Sequence, residues 1–467
     1  MGNGKTNTSL TENKMGVMPV GKLLLNMAAP IIIAMLVQAL YNIVDSYFVS
    51  QISDDEAIRE SAIAAMSLAF PVQNILIGLA TGIGVGVNAL LSKSLGEGNQ
   101  ARANRTAGNG VTLAVITTGL VMIFGVFGSR PYFQMMSNTA LTVDFGTEYI
   151  SICCLLSLGI FIEVLGERLL QSSGRTVFTM ITQGTGAVIN IILDPALIFG
   201  WGPLPEMGIA GAAIATVIGQ WVAALLAVIF NLKYNPDVQF APRYFKPQKD
   251  IVVPILTVGI PSIIMTSIGS IMNIGINKIL QSFTQYGEVP VNVFGIYFKL
   301  QSFFFMPLFG MNNATISIVA FNYGARKPKR ITKTLKIACV SALIFMLLGL
   351  VVFQAVPELL LGIFDTSKDF LRLGHSALRI ISFCFPFAAV CIALGASFQA
   401  LGNGIYSTIV SLCRQLIVLL PVAYLLSLTG EVNNVWWAFP IAEFMSLAAT
   451  TFFFVRIYRQ KIKPILA

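Results

Sequence analysis

Charge is scarce in this sequence of 467 residues, because only 11% of the residues are Asp, Glu, Lys or Arg. A water-soluble domain carries about a quarter charged residues, so this scarcity excludes a soluble globular protein. The sequence holds a single histidine, His375, and lacks the HExxH, Walker and GxSxG patterns of common enzyme classes. We therefore expect neither enzyme activity nor a cofactor beyond a transported ion.

Metal-type cysteine pairs and the residue pattern of a secretory signal are also absent from the sequence. The six cysteines lie inside apolar segments and form no CxxC pair, so we interpret them as apolar packing residues. The first 21 residues are polar, without the charged-then-apolar pattern of a secretory signal, which predicts that the first apolar helix is retained. The net charge of +9 resides in loops between apolar runs, as membrane topology requires, so we expect no nucleic-acid partner.

Apolar runs dominate the rest of the sequence, where hydrophobic residues make up 55% of the chain. A bilayer span needs roughly 20 predominantly apolar residues. The sequence predicts twelve such spans, at 23–51, 61–91, 105–128, 145–167, 176–200, 208–231, 251–282, 291–318, 335–356, 373–399, 406–428 and 435–458. The fold class is thus an all-α integral membrane protein of twelve transmembrane helices.

Basic residues alternate with acidic ones from loop to loop. The densest basic loop holds Arg326, Lys327, Lys329 and Arg330, and loops on the other side are acidic or nearly neutral. The positive-inside rule then predicts that both termini are cytoplasmic. The predicted organisation is a cytoplasmic segment, an N-lobe of six spans, a cytoplasmic linker, a C-lobe of six spans and a basic tail, over 1–22, 23–231, 232–250, 251–458 and 459–467.

The two halves repeat at a fixed offset along the chain. Adding 228 to a residue number of the first half gives the identical pairs Gln73/Gln301, Gly82/Gly310, Gly96/Gly324, Arg102/Arg330, Gly146/Gly374, Gln171/Gln399 and Gly174/Gly402. The first helix matches at 231 instead, which pairs Pro30 with Pro261 and Asn42 with Asn273. Since each half has an even number of spans, the repeats are parallel, and transporters of this kind place their substrate between the halves.

Ionisable residues inside spans are costly and are therefore functional candidates. Asp45 in the first span and Asp194 in the fifth are predicted at similar depth, with Asn190 one helical turn before Asp194 and Thr216 at the same level. This set predicts a coupling site for H⁺ or Na⁺, in which Na⁺ would be held by Asp45, Asn190 and Asp194, or the two carboxylates would share protons.

A purely structural role, hydrogen bonding between helices, is the alternative for these acids. The repeat argues against it, because the second-half equivalents of Asp45, Asn190 and Asp194 are Ile276, Val418 and Val422. Other charged residues in spans are ambiguous. Glu163 either lines a cavity or pairs with Arg168, while Lys299, Arg414 and Glu443 form an ion-pair set or extend to the membrane surface.

Polar residues that border the interface between the halves are candidates for substrate contact. These are Gln38, Tyr41, Asn42, Glu163, Asn273, Asn277 and Gln301. Hydrogen bonding between helices explains such residues about as well. Pro30, Pro195 and Pro261 are candidate hinges, because proline interrupts the helical hydrogen bonds and frees a carbonyl.

Several segments together resemble the multidrug and toxic compound extrusion (MATE) family, closest in style to its MepA-like and DinF-type branch. They are LYNIVDSYFVSQ (40–51), GEGNQARA (96–103), INIILDPALIF (189–199) and GIAGAAIATVIGQ (208–220). The resemblance implies a V-shaped bundle of two lobes, an N-lobe cation site at Asp45, Asn190, Asp194 and Thr216, and location in the bacterial plasma membrane. The seventh and tenth spans lack the acids of NorM-type members, so a C-lobe cation site is not expected.

The function that the resemblance implies is multidrug efflux, in which cationic, often aromatic compounds leave in exchange for inward H⁺ or Na⁺ by alternating access. We expect the protein to be a monomer with small organic cations and the lipid bilayer as its partners. The first alternative is a lipid-linked oligosaccharide flippase of the same superfamily, although only Lys299 and Arg414 are predicted as buried cations. A membrane receptor or enzyme is disfavoured, because the sequence offers no extramembrane domain.

Overall fold

Helix-forming apolar runs determine the architecture, since a chain in lipid must satisfy its backbone hydrogen bonds internally. A computed structural model describes residues 13–49, 51–53, 55–201, 205–362, 364 and 367–466, and the side chains within these ranges except those of residues 42, 43, 46, 56 and 466. The described part is helical throughout its apolar runs, and the helices divide into two lobes.

The first lobe comprises α1 (Val20–Val49), α2 (Glu56–Gly96), α3 (Gln100–Phe127), α4 (Ser129–Met136), α5 (Ala140–Leu155), α6 (Leu158–Ser172), α7 (Thr176–Ile198) and α8 (Gly208–Tyr234). The second lobe comprises α9 (Lys249–Gln281), α10 (Val289–Gly324), α11 (Pro328–Ala355), α12 (Pro357–Gly362), α13 (Lys368–Ser382), α14 (Phe385–Ala400), α15 (Gly404–Ser427) and α16 (Ala438–Ile457). A short turn at Lys14–Val17 precedes α1, and α15 is π-helical over Cys413–Leu419.

Twelve crossings of a membrane follow from these helices. Within the described residues, ten helices are long and apolar enough to span a bilayer, and two bent pairs also pass as spans. The pairs are α5 with α6, bent by 49°, and α13 with α14, bent by 44°. The predicted fourth and tenth spans are therefore broken helices rather than straight ones. The predicted second span, 61–91, is also longer in the structure, where α2 has 41 residues.

Helix boundaries follow the internal repeat. The helix α3 begins at Gln100 and ends at Phe127, and α11 begins at Pro328 and ends at Ala355. Each end of α11 therefore lies 228 residues after the corresponding end of α3, which is the offset found in the sequence. The two bent pairs begin at Ala140 and Lys368, with the same offset. For these elements the repeat therefore extends from identical residues to matching helix boundaries.

The first helix of each lobe also packs against the other lobe. Leu23 and Ile31 of α1 belong to the same apolar core as Phe321 of α10. Reciprocally, Ile251 and Ile255 of α9 belong to the core of the first lobe. The lobes are thus joined by α1 and α9, and any change in the angle between lobes must act on these two helices.

Two equivalent glycines bring the lobes into backbone contact at the end that carries the basic loops. A Cβ atom on Gly96 would overlap the carbonyl oxygen of Phe321, and one on Gly324 would overlap the carbonyl oxygen of Lys93. Lys93 and Phe321 are themselves equivalent positions of the two repeats. The contact is therefore two-fold symmetric and needs glycine on both sides.

The segment before α1 crosses the same end of the molecule. Arg330 of α11 donates from Nη2 to the carbonyl oxygens of Met15 at 3.0 Å and Met18 at 2.7 Å. Asn13 donates from Nδ2 to Asp237, beyond α8, at 3.4 Å. The segment consequently contacts the second repeat and the linker between the repeats.

Candidate coupling and substrate site

The helices α7 and α8 bring three of the predicted site residues together. Asn190 donates from Nδ2 to Oδ1 of Asp194 at 3.2 Å and lies 3.3 Å from Oγ1 of Thr216. Close packing of the two helices makes this possible, because a Cβ atom on Gly219 would lie 2.7 Å from the carbonyl oxygen of Gly186. The sequence prediction that placed Thr216 level with Asn190 agrees with this geometry.

Asp45 of α1 lies within electrostatic reach of Asp194, and both residues are buried. Among the side chains that the structure describes, Asp45 Oδ1, Asn190 Oδ1 and Asp194 Oδ2 are buried oxygens without a hydrogen-bond partner. Buried acceptors are normally paired, so three unpaired ones in one region indicate a place for a proton or a cation. Hard oxygen ligands of this kind suit Na⁺.

A cavity of about 570 Å³ adjoins this cluster. Its lining includes Gln38, Tyr41 and Glu163, three of the predicted substrate residues, and also Asn190 and Thr216. Tyr41 interacts electrostatically with Glu163, Asp45 and Asp194. The cavity and the carboxylate cluster therefore share Asn190 and Thr216, and Tyr41 interacts with both.

Two charged residues that were not predicted to line a cavity, Glu167 and Arg168, do so. Glu167 accepts a hydrogen bond from Oγ1 of Thr182 at 2.9 Å, and Arg168 donates from Nη1 to Gln171 at 3.0 Å. Glu163 takes part in none of the salt bridges among the described residues, so it lines the cavity instead of pairing with Arg168. Glu163 and Glu167 are four residues apart and therefore lie on the same face of α6. This spacing is the sequence signal that could have predicted Glu167 as a second cavity residue.

The second lobe has its own cavity, of about 320 Å³, lined by residues of that lobe alone within the described chain. Gln301 lines it and accepts a hydrogen bond from the Tyr297 hydroxyl at 2.8 Å. Arg414 and Glu443 form an ion pair at 2.5 Å. Lys299 is exposed on α10, so the predicted three-residue ion-pair set reduces to two residues.

The remaining predicted cavity residues lie elsewhere. Asn273 donates to the carbonyl oxygen of Gly269 in its own helix, at 3.1 Å, and neither it nor Asn277 is among the described residues that line the two cavities. The amide of Asn273 hydrogen-bonds its own helix, and the side-chain oxygen of Asn277 is buried without a hydrogen-bond partner among the described residues, so contact of either residue with a substrate stays a prediction. The side chain of Asn42 lies outside those that the structure describes.

The three predicted hinge prolines lie within continuous helices. Pro30 is inside α1, Pro195 inside α7 and Pro261 inside α9. The carbonyl oxygen of Pro261 accepts a hydrogen bond from Oγ1 of Thr408 at 3.0 Å, which ties α9 to α15. Their role as hinges stays a prediction.

Two repeated lobes of membrane-spanning helices, with one cavity that both lobes line and a second inside the second lobe, define the class of polytopic membrane transporters. The particular family follows from sequence comparison, because the MatE family profile matches residues 30–196 and again 261–425. The chain belongs to the MatE family, and it is a multi-pass protein of the plasma membrane.

Individual relatives support the same assignment. The chain is 24% identical to the multidrug export protein MepA of Staphylococcus saprophyticus, with 91% of each chain covered. It is 25% identical to the FAD transporter of Shewanella oneidensis, with 91% of this chain and 92% of the relative covered. A solved outward-facing structure of a multidrug resistance MATE family transporter superimposes with a TM-score of 0.89 at 24% identity, covering 98% of this chain and 99% of that one.

Proposed function

We propose that the protein is a multidrug efflux antiporter that exports cationic, often aromatic compounds in exchange for inward H⁺ or Na⁺. The observation that carries the proposal is the buried set Asp45, Asn190 and Asp194, whose unpaired oxygens adjoin the larger cavity. The relationship to multidrug export proteins over 91% of the chain supports the same substrate class.

The larger cavity suits an organic cation. Glu163 and Glu167 line it, and the acids Asp45 and Asp194 lie behind its wall, whereas its basic lining residues among those described are Arg168 and, at the border of the second lobe, Arg414. The aromatic ring of Tyr41 offers a surface for stacking or for cation–π contact. With the basic loops in the cytoplasm, substrate would leave on the opposite side of the membrane.

Helix α1 supplies a route from ion binding to the cavity. It carries Asp45 in the ion cluster and Gln38 and Tyr41 in the cavity wall, and its first half packs against the second lobe. Loading Asp45 and Asp194 with H⁺ or Na⁺ would neutralise their charge, weaken the cavity's attraction for a cation and allow α1 to bend near Pro30. Substrate and coupling ion would thus compete through one helix.

The test is dye transport in proteoliposomes under separately imposed proton and Na⁺ gradients. Asp45→Asn and Asp194→Asn should each abolish gradient-driven export of ethidium, because each removes a group that holds the coupling ion. Asp144→Asn serves as the control, since Asp144 forms a surface ion pair with Arg130 at 3.4 Å. Near-normal export by both buried-site variants would refute the proposed coupling mechanism.

A further inference from the structure

Lysine residues form one exposed stripe along the first turns of α11. Lys329, Lys333 and Lys336 are all exposed, and their spacing of four and three residues places them on one face of the helix. The same face continues with Val340 and Ile344, which are also exposed, so it is the lipid-facing side of the span. This lysine stripe therefore lies where the basic end of α11 meets the apolar part of the membrane.

The positive charge of the lysine stripe is unpaired within the described part of the chain. The sequence contains no Asp or Glu over 289–357, and none of the three lysines takes part in a salt bridge among the described residues. In the first repeat, by contrast, Glu97 pairs with Lys93 at 3.7 Å and with Arg102 at 3.4 Å. The equivalent of Glu97 in the second repeat is Ala325, which removes the acid from this end of the second lobe.

The corresponding face of the first repeat is covered by the linker. Gly108 of α3 is the equivalent of Lys336, and a Cβ atom on Gly108 would overlap the carbonyl oxygen of Tyr244. One turn further along α3, Thr112 donates from Oγ1 to the carbonyl oxygen of Phe245 at 2.6 Å. The linker thus covers on α3 a face that is exposed on α11.

The turn before α11 adds another positive charge in a strained conformation. Arg326 has a φ of 53°, in the left-handed region that residues other than glycine rarely adopt. The equivalent residue of the first repeat is Gly98, with a φ of 68°. Arg326 is exposed and forms none of the salt bridges among the described residues. The second repeat therefore has an unpaired arginine at a turn whose backbone favours glycine.

A phospholipid with a negative headgroup matches both parts of this surface. From Lys329 to Lys336 the helix rises roughly 10 Å, which brings three ammonium groups to the level of the headgroups, and basic clusters at this level attract anionic lipids. The apolar residues that follow on the same face suit acyl chains. Membrane topology alone requires positive charge at this end, but not on the lipid-facing side. The equivalents of the three lysines are Ala101, Arg105 and Gly108, so the first repeat has one basic residue at these positions.

We propose that the lysine stripe of α11, together with Arg326, binds an anionic phospholipid. Its phosphate lies on the ammonium groups, and its acyl chains lie along Val340 and Ile344. The lipid supplies for the second lobe the cover that the linker supplies for the first. The site lies outside both cavities and is independent of the proposed efflux function.

Native mass spectrometry of the purified full-length protein, titrated with one lipid at a time, measures this binding. The first bound dioleoylphosphatidylglycerol should have a Kd about a hundredfold lower than the first bound dioleoylphosphatidylcholine, because each lysine near a membrane surface contributes about fivefold to the affinity for anionic lipid. This preference should shrink as salt is added. The triple variant Lys329→Gln, Lys333→Gln, Lys336→Gln should lose it.

Two further variants separate the stripe from net charge and from misfolding. The triple variant Lys233→Gln, Lys246→Gln, Lys249→Gln removes the same charge from exposed positions at the same end of the molecule and should keep the preference. Arg326→Gly gives the turn the residue that suits its φ, so it should not lower the thermal stability, yet it should weaken phosphatidylglycerol binding about fivefold.

Inorganic phosphate serves as the probe without acyl chains, and we expect that it does not displace the bound phosphatidylglycerol. Displacement would show a site for free anions and would overturn the inference. Equal affinities for the two lipids, or equal losses in the two triple variants, would overturn it as well. So would a wild-type dimer that dissociates in the stripe variant, because a second copy would then cover the stripe. A wild-type protein that binds the lipid but exports no dye would contradict the efflux function alone.

Discussion

The two lobes share a scaffold and differ in how they bury charge. In the first lobe, Asp45 and Asp194 lie in a cluster of unpaired oxygens, and Glu167 is held by the hydroxyl of Thr182. In the second lobe, Arg414 and Glu443 neutralise each other. An uncompensated acid can gain or lose a cation at modest cost, whereas a closed ion pair resists such exchange.

Under the proposed function, this contrast assigns the response to an ion gradient to the first lobe. The equal lengths of α3 and α11, the two bends and the interface glycines are repeated, so they describe what both halves need in order to fold and to move together. The acids and the ion pair are not repeated, so they describe what each half does separately. Substitutions that exchange or remove these features can test the division.

The largest expected effect comes from breaking the ion pair of the second lobe. Glu443→Gln leaves the partly buried guanidinium of Arg414 without a counter-charge, which should destabilise the protein by about 3 kcal/mol. Replacing both residues, as Arg414→Met with Glu443→Leu, should cost much less because no charge is left unpaired. Thermal unfolding in detergent measures both.

The first lobe supplies the comparison for this experiment. Glu167→Gln should be milder than Glu443→Gln, since the partner of Glu167 is the neutral hydroxyl of Thr182 and Gln can still accept its hydrogen bond. Equal losses in the two lobes would contradict the view that only the second lobe holds its charge in a closed pair.

The glycine contact between the lobes should give the next largest effect. A methyl group at Gly96 or Gly324 would overlap a backbone carbonyl oxygen of the other lobe, so either Ala variant must push the lobes apart. We expect a loss of about 1–3 kcal/mol in stability and a strong loss of transport. Gly119→Ala is the control, because a Cβ atom there meets no atom within 4 Å. Unchanged transport in Gly96→Ala would show that the closed contact is dispensable.

Much of this architecture could be predicted from the sequence, because a bilayer allows few solutions. The apolar runs predict the helices, and the constant offset between the halves predicts the repeat. The four-residue spacing of Asn190 and Asp194 predicts that both side chains lie on one face of a helix. These features depend on periodicity along one chain, which the sequence displays directly.

Contacts between distant helices were harder to predict. In the sequence, Arg414, Glu443 and Lys299 look alike, because each is a charged residue inside a predicted span. Only the three-dimensional structure shows that Arg414 and Glu443 form an ion pair and that Lys299 is exposed. The packing of α1 against the second lobe and the inward face of Glu167 likewise depend on tertiary geometry. A polar residue inside a predicted span can line a cavity or hydrogen-bond a neighbouring helix, and the sequence does not distinguish these two positions.

An intermediate effect is expected at the coupling cluster when its residues are exchanged between repeats. Asn190→Val introduces the residue that the second repeat has at the equivalent position, and removes hydrogen bonds to Asp194 and Thr216. We expect about a tenfold rise in the ion concentration that drives half-maximal transport, as for one lost hydrogen bond to a charged group. Val418→Asn in the second lobe should leave that concentration unchanged. If both substitutions raised this ion concentration by the same factor, the proposed functional difference between the repeats would be wrong.

The smallest expected effect concerns a pair of equivalent arginines at the basic end. Arg102 forms a surface ion pair with Glu97 at 3.4 Å, so Arg102→Gln should cost less than about 1 kcal/mol and leave the N-terminal segment in place. Arg330, its counterpart in the second repeat, instead donates to the carbonyl oxygens of Met15 and Met18. Arg330→Gln should therefore release the segment before α1 and raise its rate of proteolytic cleavage about tenfold, with little change in global unfolding. Limited proteolysis of the two variants side by side measures this. Equal cleavage rates would mean that the segment is held by its other contacts, such as Asn13 with Asp237 of the linker, and not by Arg330.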